Sequence, residues 1–286
     1  MASAYAVDWA EAQDALRGEV ARVVALLRSV ANTSGGAVGA WDLGDVAMHL
    51  SQAWLAVPAL ARDDLSPVYE VLPDIAGRSM GADVWELGAT TTRAVQNDRE
   101  RRAAVLADRI EERAAVFFRE CEGRSGGERH AWMVEGVQVD LCTLTCHLLN
   151  ETVVHGADIA RAAGRPWATD GRHAALIIQG FFLSVIAQMD RRSLVDQERA
   201  KGVYAIYDVR LKGAGRAHFV FEDGAVSVAE PTGRRVDCHI LADPAALLDV
   251  MWGRRSQWAA IAKGQLLAWG RKPWLGPKLR LMMRNP

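Results

Sequence analysis

Residues 142–164 read CTLTCHLLNETVVHGADIARAAG. The apolar pairs Leu148-Leu149 and Val153-Val154 recur at helical rather than strand spacing, and Gly164 with Pro166 beyond it closes the run as helices close. On that helix His147, Glu151 and His155 stand four and four apart, so they stack along one face and aim a carboxylate and imidazoles at a common point. A second stretch, WDLGDVAMHLSQAW over 41–54, opens on Asp42 as a helix N-cap and carries His49 among apolar and small residues. Two such helices face to face would set His49 against Glu151 and His155, a two-histidine, one-carboxylate metal site inside a helix bundle.

A lone histidine in a bundle core is usually a satisfied polar residue. Three polar groups from two helices, one of them a carboxylate that is costly to bury unpaired, favour a divalent metal instead. Zinc is the first expectation, because imidazole and carboxylate suit it and three protein ligands leave a position for water or a thiolate; other first-row metals suit the same donors. His147 reads as a fourth ligand or as a hydrogen-bonded neighbour of Glu151. Asp158 either orients the His155 ring or is a charge on the bundle surface. Cys142 and Cys146, one turn apart, read as small buried hydrophobes rather than as a thiolate site. Trp41, Trp54 and Trp132 are candidates for the walls of a pocket.

The rest of the chain fits around these helices. Its 286 residues suit two domains, and half of them are hydrophobic, enough for a core in each. The formal net charge of −1 asks for neither nucleic acid nor an anionic membrane as partner. The start, MASAYAVDWAEA, has no basic segment followed by an apolar one, and none of the four cysteines forms a CxxC pair, so a reducing, cytoplasmic setting is expected. No apolar run approaches the ~18 residues of a transmembrane helix.

Residues 7–31 repeat apolar positions at three and four and predict a first amphipathic helix; 65–81, broken by prolines and glycines, predicts a connecting excursion; 84–120 predicts one long helical stretch. With the two histidine-bearing helices this makes a four-helix bundle over residues 1–167, up-and-down unless the long second connection reorders it. From 168 to 286 the pattern changes. A helix apolar nearly all round over 174–189 precedes short β-rich runs at 203–211, 217–222, 225–228 and 235–241, with Asp223-Gly224 as a hairpin signal. Asp243 and Pro244 then start a helix that Gly253 ends, and 258–266 predicts one more. The expected fold class is multi-domain: an all-α bundle followed by an α+β domain with a small antiparallel sheet. The basic tail, Arg254 to Arg280 with interleaved tryptophans, reads as a surface for membrane or acyl-phosphate contacts or simply as solvated helix faces.

NETVVHGADIARAAGRPW together with WDLGDVAMHL resembles the N-terminal domain of the mycothiol-dependent maleylpyruvate isomerase family, a metal-binding branch of the DinB-like bundles of actinobacteria. The resemblance covers about residues 10–167 and implies that His49, Glu151 and His155 bind a divalent metal, usually zinc. The segment CHILADPAALLDVMWGRRSQWAAIAKGQLLAWGRKPWL resembles the sterol carrier protein type 2 domain over about 172–283, which implies a sheet and helices around an apolar tunnel. No catalytic residue carries over from that half.

The expected function is therefore a metal-dependent enzyme that uses a low-molecular-weight thiol, mycothiol by resemblance, to isomerise an electrophilic small molecule or to transfer a thiol to it. The alternative is a carrier of a lipid-like apolar ligand, with Phe181, Phe182, Leu183, Val185 and Ile186 lining its tunnel and the metal only stapling the bundle; on so apolar a helix these residues are otherwise core. A third reading makes the second domain a lid or a dimerisation surface without a ligand.

Overall fold

The computed structural model describes Tyr5 and residues 7–78, 80–81 and 84–284. They form two compact units, one from Val7 to Thr169 and one from Asp170 onward that also takes in Tyr5.

The first unit runs α1 (Trp9–Arg28), β1 (Gly36–Val38), β2 (Trp41–Asp42), α2 (Leu43–Ala61), α3 (Ser66–Val71), α4 (Val84–Asn97), α5 (Ala103–Glu120), β3 (Arg129–Ala131), β4 (Gln138–Asp140) and α6 (Leu141–Ala162). Aspartates start α1, α2 and α6: the Asp8 carboxylate accepts from the Glu11 amide, Asp42 and Asp45 form a reciprocal capping box on α2, and Asp140 accepts from the Thr143 amide. Helices α1 and α2 each pack on both α5 and α6. The consecutive helices α1 and α2 therefore lie on the diagonal of a four-helix bundle, and this order, not simple sequential neighbouring, puts α2 beside α6.

The stretch expected as one helix over 84–120 is two. Between α4 and α5 the Arg101 guanidinium donates to the carbonyls of Val95, Asp98 and Glu100 and pairs with Asp45, while the Asp98 carboxylate accepts from the Glu100 amide. Side chains satisfy the backbone groups that a continuous helix would have paired internally.

The second unit begins with α7 (Gly171–Leu176), passes through a π-helical turn (Ile177–Leu183) into α8 (Ser184–Ile186), and adds α9 (Gln197–Ala200), β5 (Tyr204–Leu211), β6 (Arg216–Glu222), β7 (Val226–Ala229), β8 (Cys238–Ala242), α10 (Pro244–Met251), α11 (Gln257–Ala262), β9 (Leu266–Trp269) and α12 (Gly276–Met282). Its sheet has the order β7-β6-β5-β8-β9. Neighbours are antiparallel except β5 and β8, which are parallel, so the sheet is mixed. Asp223 and Gly224 both take positive φ, 48° and 74°, in the hairpin turn where they were expected. The helix expected over 258–266 is instead α11 followed by β9: Gly264, at φ 66°, ends the helix and the chain turns back to pair with β8. Tyr207, Val209, Phe221, Cys238 and Ile240 pack with Leu275 and Met282 in one core cluster. Leu183 and Ala217 pack with Tyr5 in another.

Candidate metal centre

Helix α6 presents its histidines and Glu151 inward, and all of them are buried. The His49 side chain reaches the same point from α2. One ligand atom from each of His49, Glu151 and His155 lies within 4.8 Å of the others, the one such group of three or more among the described residues. Glu151 Oε2 is the focus, 3.1 Å from His49 Nε2 and 3.4 Å from His155 Nε2, with the two imidazole rings edge to face at 4.6 Å. Zinc bound by nitrogen and oxygen at about 2.0–2.1 Å in a tetrahedron sets its ligands about 3.3 Å apart. The two separations from Glu151 Oε2 match that edge and the third pair lies within 4.8 Å, so the residues present fit a divalent metal.

The second carboxylate oxygen is held by other groups. Asn150 Nδ2 donates to Glu151 Oε1 at 3.2 Å, and His147 Nε2 lies 3.4 Å from the same oxygen. His147 Nδ1 accepts from the Trp132 indole at 3.5 Å, which places the ring proton on Nε2, toward Glu151. His147 thus stands as a neighbour of the Glu151 oxygen that does not face His49 and His155. Asp158 is fully buried, with one oxygen 3.3 Å from His155 Nδ1 and the other accepting from Arg161 at 2.8 Å. Arg161 in turn donates to the Ala37 carbonyl on β1. A carboxylate behind a histidine fixes its tautomer and leaves Nε2 for a cation.

Burial pushes the Glu151 carboxyl up, but the hydrogen bonds of His147, His155 and His49 outweigh it and hold Glu151 well below the usual carboxylate range. Burial lowers the His49 imidazole and prevails over its bond to Glu151. His155 goes the other way: burial opposes its charge, yet Asp158 and Glu151 push it up to about 9. Without a cation, these partners favour the charged forms of Glu151 and His155, while burial favours the neutral form of His49.

Of the tryptophans expected near the site, Trp41 lies 5.3 Å from the His49 ring and Trp132 5.9 Å from that of His147. Trp54 instead donates to Thr152 and packs on Phe117 and Phe118 in the bundle core. Cys142 and Cys146 are free; the hydrogen bond to Cys142 and burial hold the Cys146 thiol well above its ordinary value, which keeps it protonated. Sequence reading missed Asn150 and Arg161 as partners of the cluster, and it missed the packing of the Trp167 ring on α6, so close to Gly156 that a Cβ there would be 2.7 Å away.

No curated protein sequence matches the chain. Residues 186–270 match the SCP-2 sterol transfer family. Among solved structures, the mycothiol-dependent maleylpyruvate isomerase aligns over 94% of this chain and 95% of its own, at 13% identity and a TM-score of 0.51, and a mutant of that enzyme aligns with the same figures. The chain shares the fold of the mycothiol-dependent maleylpyruvate isomerase and carries in its second unit a segment of the SCP-2 sterol transfer type.

Proposed function

We propose that this protein is a divalent-metal-dependent enzyme that uses a low-molecular-weight thiol, mycothiol, for isomerisation of an electrophilic small molecule or for thiol transfer to it. The convergence of His49, Glu151 and His155 on one point carries this reading. A divalent cation, zinc first among them, supplies Lewis acidity that lowers the pKa of a thiol and favours thiolate at neutral pH. His49 and His155 offer Nε2 and Glu151 offers Oε2 to hold it. Asp158 orients the His155 ring and His147 holds the other oxygen of Glu151, so the donor set is fixed before a cation arrives. With a cation held there, a bound thiolate would be available to add to an unsaturated carbon and leave again after rotation about the former double bond, or to displace a leaving group. The solved isomerase of the same fold acts with mycothiol by name, and this is the support for choosing that thiol.

Metal content of the purified native protein tests the reading, compared with His155→Ala and followed by calorimetric titration with mycothiol. One metal per chain that disappears in the variant, with thiol binding that requires metal, supports it. Metal without any thiol affinity overturns the thiol mechanism.

The match of residues 186–270 to the SCP-2 sterol transfer family favours a second reading, a carrier of an apolar ligand in which the metal only braces the bundle. Leu183, one of the residues expected to line a tunnel, instead packs with Tyr5 and Ala217, and the Phe181 and Phe182 rings meet at a tilt with centroids 5.0 Å apart, with Phe182 also 5.9 Å from Trp252. Extraction of a stoichiometric lipid from the purified chain, with no thiol binding, would decide for the carrier.

A further inference from the structure

A row of four side chains crosses the sheet of the second unit. Asp208 on β5 stands opposite His218 on β6 and beside His239 on β8, and His239 stands opposite Trp269 on β9. Arg210 and Arg216, two residues away on β5 and β6, face each other in the same ladder. These residues alternate with Tyr207, Val209, Cys238 and Ile240, which belong to the core cluster, so they share the other face of the sheet. Asp208 is fully buried beneath its neighbours. Arg216 donates to both of its oxygens, Arg210 Nε donates to Oδ2 at 2.9 Å, and His239 Nδ1 lies 2.7 Å from Oδ2. His218 Nδ1 accepts from the Thr232 amide at 3.5 Å, which places the ring proton on Nε2. That buried Nε2 has no hydrogen-bond partner among the described residues and stands 3.8 Å from Asp208 Oδ1.

Two histidines and a carboxylate in one row would hold a cation if the carboxylate were open. Here guanidiniums cover both oxygens of Asp208, and two fixed positive charges face one negative. Lys212, exposed in the turn between the two arginines, adds a third cation. Asp237, two residues before His239, is taken by Arg271 and Lys272. Each arginine spends Nε and Nη2 on Asp208 and keeps Nη1 without a partner among the described residues, on side chains 41% and 42% exposed. Donors therefore outnumber acceptors, and the surplus faces solvent. Paired guanidinium edges suit a tetrahedral oxyanion, phosphate above all, which brings an acceptor for each and up to two negative charges. Beside them Trp269 stacks on His239 at 19° and still stands 41% exposed, with the Arg210 guanidinium 5.8 Å from its ring. An indole next to a phosphate fork suits an organic phosphate with a planar carbon part better than a bare ion. A nucleic acid strand needs cations along a groove, whereas these gather at one end of one hairpin. We propose that this face of the sheet binds an organic phosphate, its phosphate on the open edges of Arg210 and Arg216 and its carbon part against Trp269.

Titration calorimetry of the full chain with inorganic phosphate and with phenyl phosphate, in a chloride buffer of low ionic strength, tests this. The expected result is one shared site per chain, with phenyl phosphate bound about tenfold more tightly. Arg210→Gln leaves Asp208 its bonds to Arg216 and His239 and weakens both ligands about tenfold. Arg210→Lys, which keeps the charge but not the fork, recovers part of that loss. Trp269→Ser, exposed on the edge strand and without a bond to Asp208, brings phenyl phosphate down to the affinity of inorganic phosphate and so tests the site even where an arginine variant fails to fold. Lys263→Gln, which removes an exposed cation on another element, changes neither. No saturable binding, equal affinity of the native chain for the two ligands, or undiminished binding in folded Arg210→Gln would each overturn the proposal. So would an equal loss in Lys263→Gln, the mark of attraction by overall charge alone.

Discussion

Glu151 meets His49, His155, His147 and Asn150 at once, and the two oxygens of its carboxylate have different duties. One faces the candidate metal and the other is held in place. Replacing Asp158 by Asn keeps the shape but removes the charge behind His155, so metal affinity should fall about 10–100-fold; competition with a chromogenic chelator measures it, with unchanged circular dichroism showing an intact fold. The triad itself was legible in the sequence, because four-residue spacing on one helix fixes a shared face whatever surrounds it. The roles of His147 and Asp158 were left open, because they depend on which ring nitrogen carries a proton, and Trp132 and Arg161 settle that only through contacts in three dimensions. The second unit has a comparable focus in Asp208, which is fully buried and accepts from Arg216, His239 and Arg210. Burial opposes its charge, but these partners outweigh burial and hold the carboxyl far below its ordinary value. A group whose folded pKa is depressed stabilises above its unfolded value of about 3.9 and loses that contribution as the pH falls below it. Asp208→Asn should lower stability by about 1–2 kcal/mol at neutral pH, kept modest by the half-exposed guanidiniums, and should flatten the acid limb between about pH 4 and pH 2. Denaturant unfolding across that range reads both effects.

Among the elements, α2 and α6 carry the candidate site and each starts on an aspartate; Asp42 was marked in the sequence as a cap and Asp140 was not. Asp42→Ala removes half of a capping box, and the loss should be about 1 kcal/mol, visible as a lower Tm. Gly156→Ala is expected to do more, about 1–3 kcal/mol, although alanine favours helices, because the new Cβ must displace the Trp167 ring. A rise in Tm would show that the ring yields. The break between α4 and α5 escaped a reading by periodicity for a physical reason. Residues 98–102 are DRERR, without proline or glycine, and only the reach of Arg101 back to three carbonyls and across to Asp45 replaces the helical bonds. β9 was missed because LLAW is too short to separate strand from helix, and Gly264 was the one local clue.

At the scale of the whole molecule, the diagonal placement of α1 and α2 is what seats His49 opposite Glu151, and no pattern within either helix contains it. A metal that joins α2 to α6 stabilises the state that binds it by about 4 kcal/mol at a thousandfold excess over Kd. Chelation should therefore speed amide exchange in α2 and α6, and leave β5 to β8 at their original rates. Equal loss of protection in both units would mean that the cation acts elsewhere. Tyr5 gives the molecule one more property. It precedes the bundle in the chain, yet its packing partners Leu183 and Ala217 are translated only after the whole bundle. The bundle is in effect an insertion between Tyr5 and the remainder of the second unit. Biosynthesis must hold Tyr5 in waiting until the far half of the chain exists, so a bulky fusion before Tyr5 should disturb the maturation of the distant sheet and spare the helices that immediately follow it.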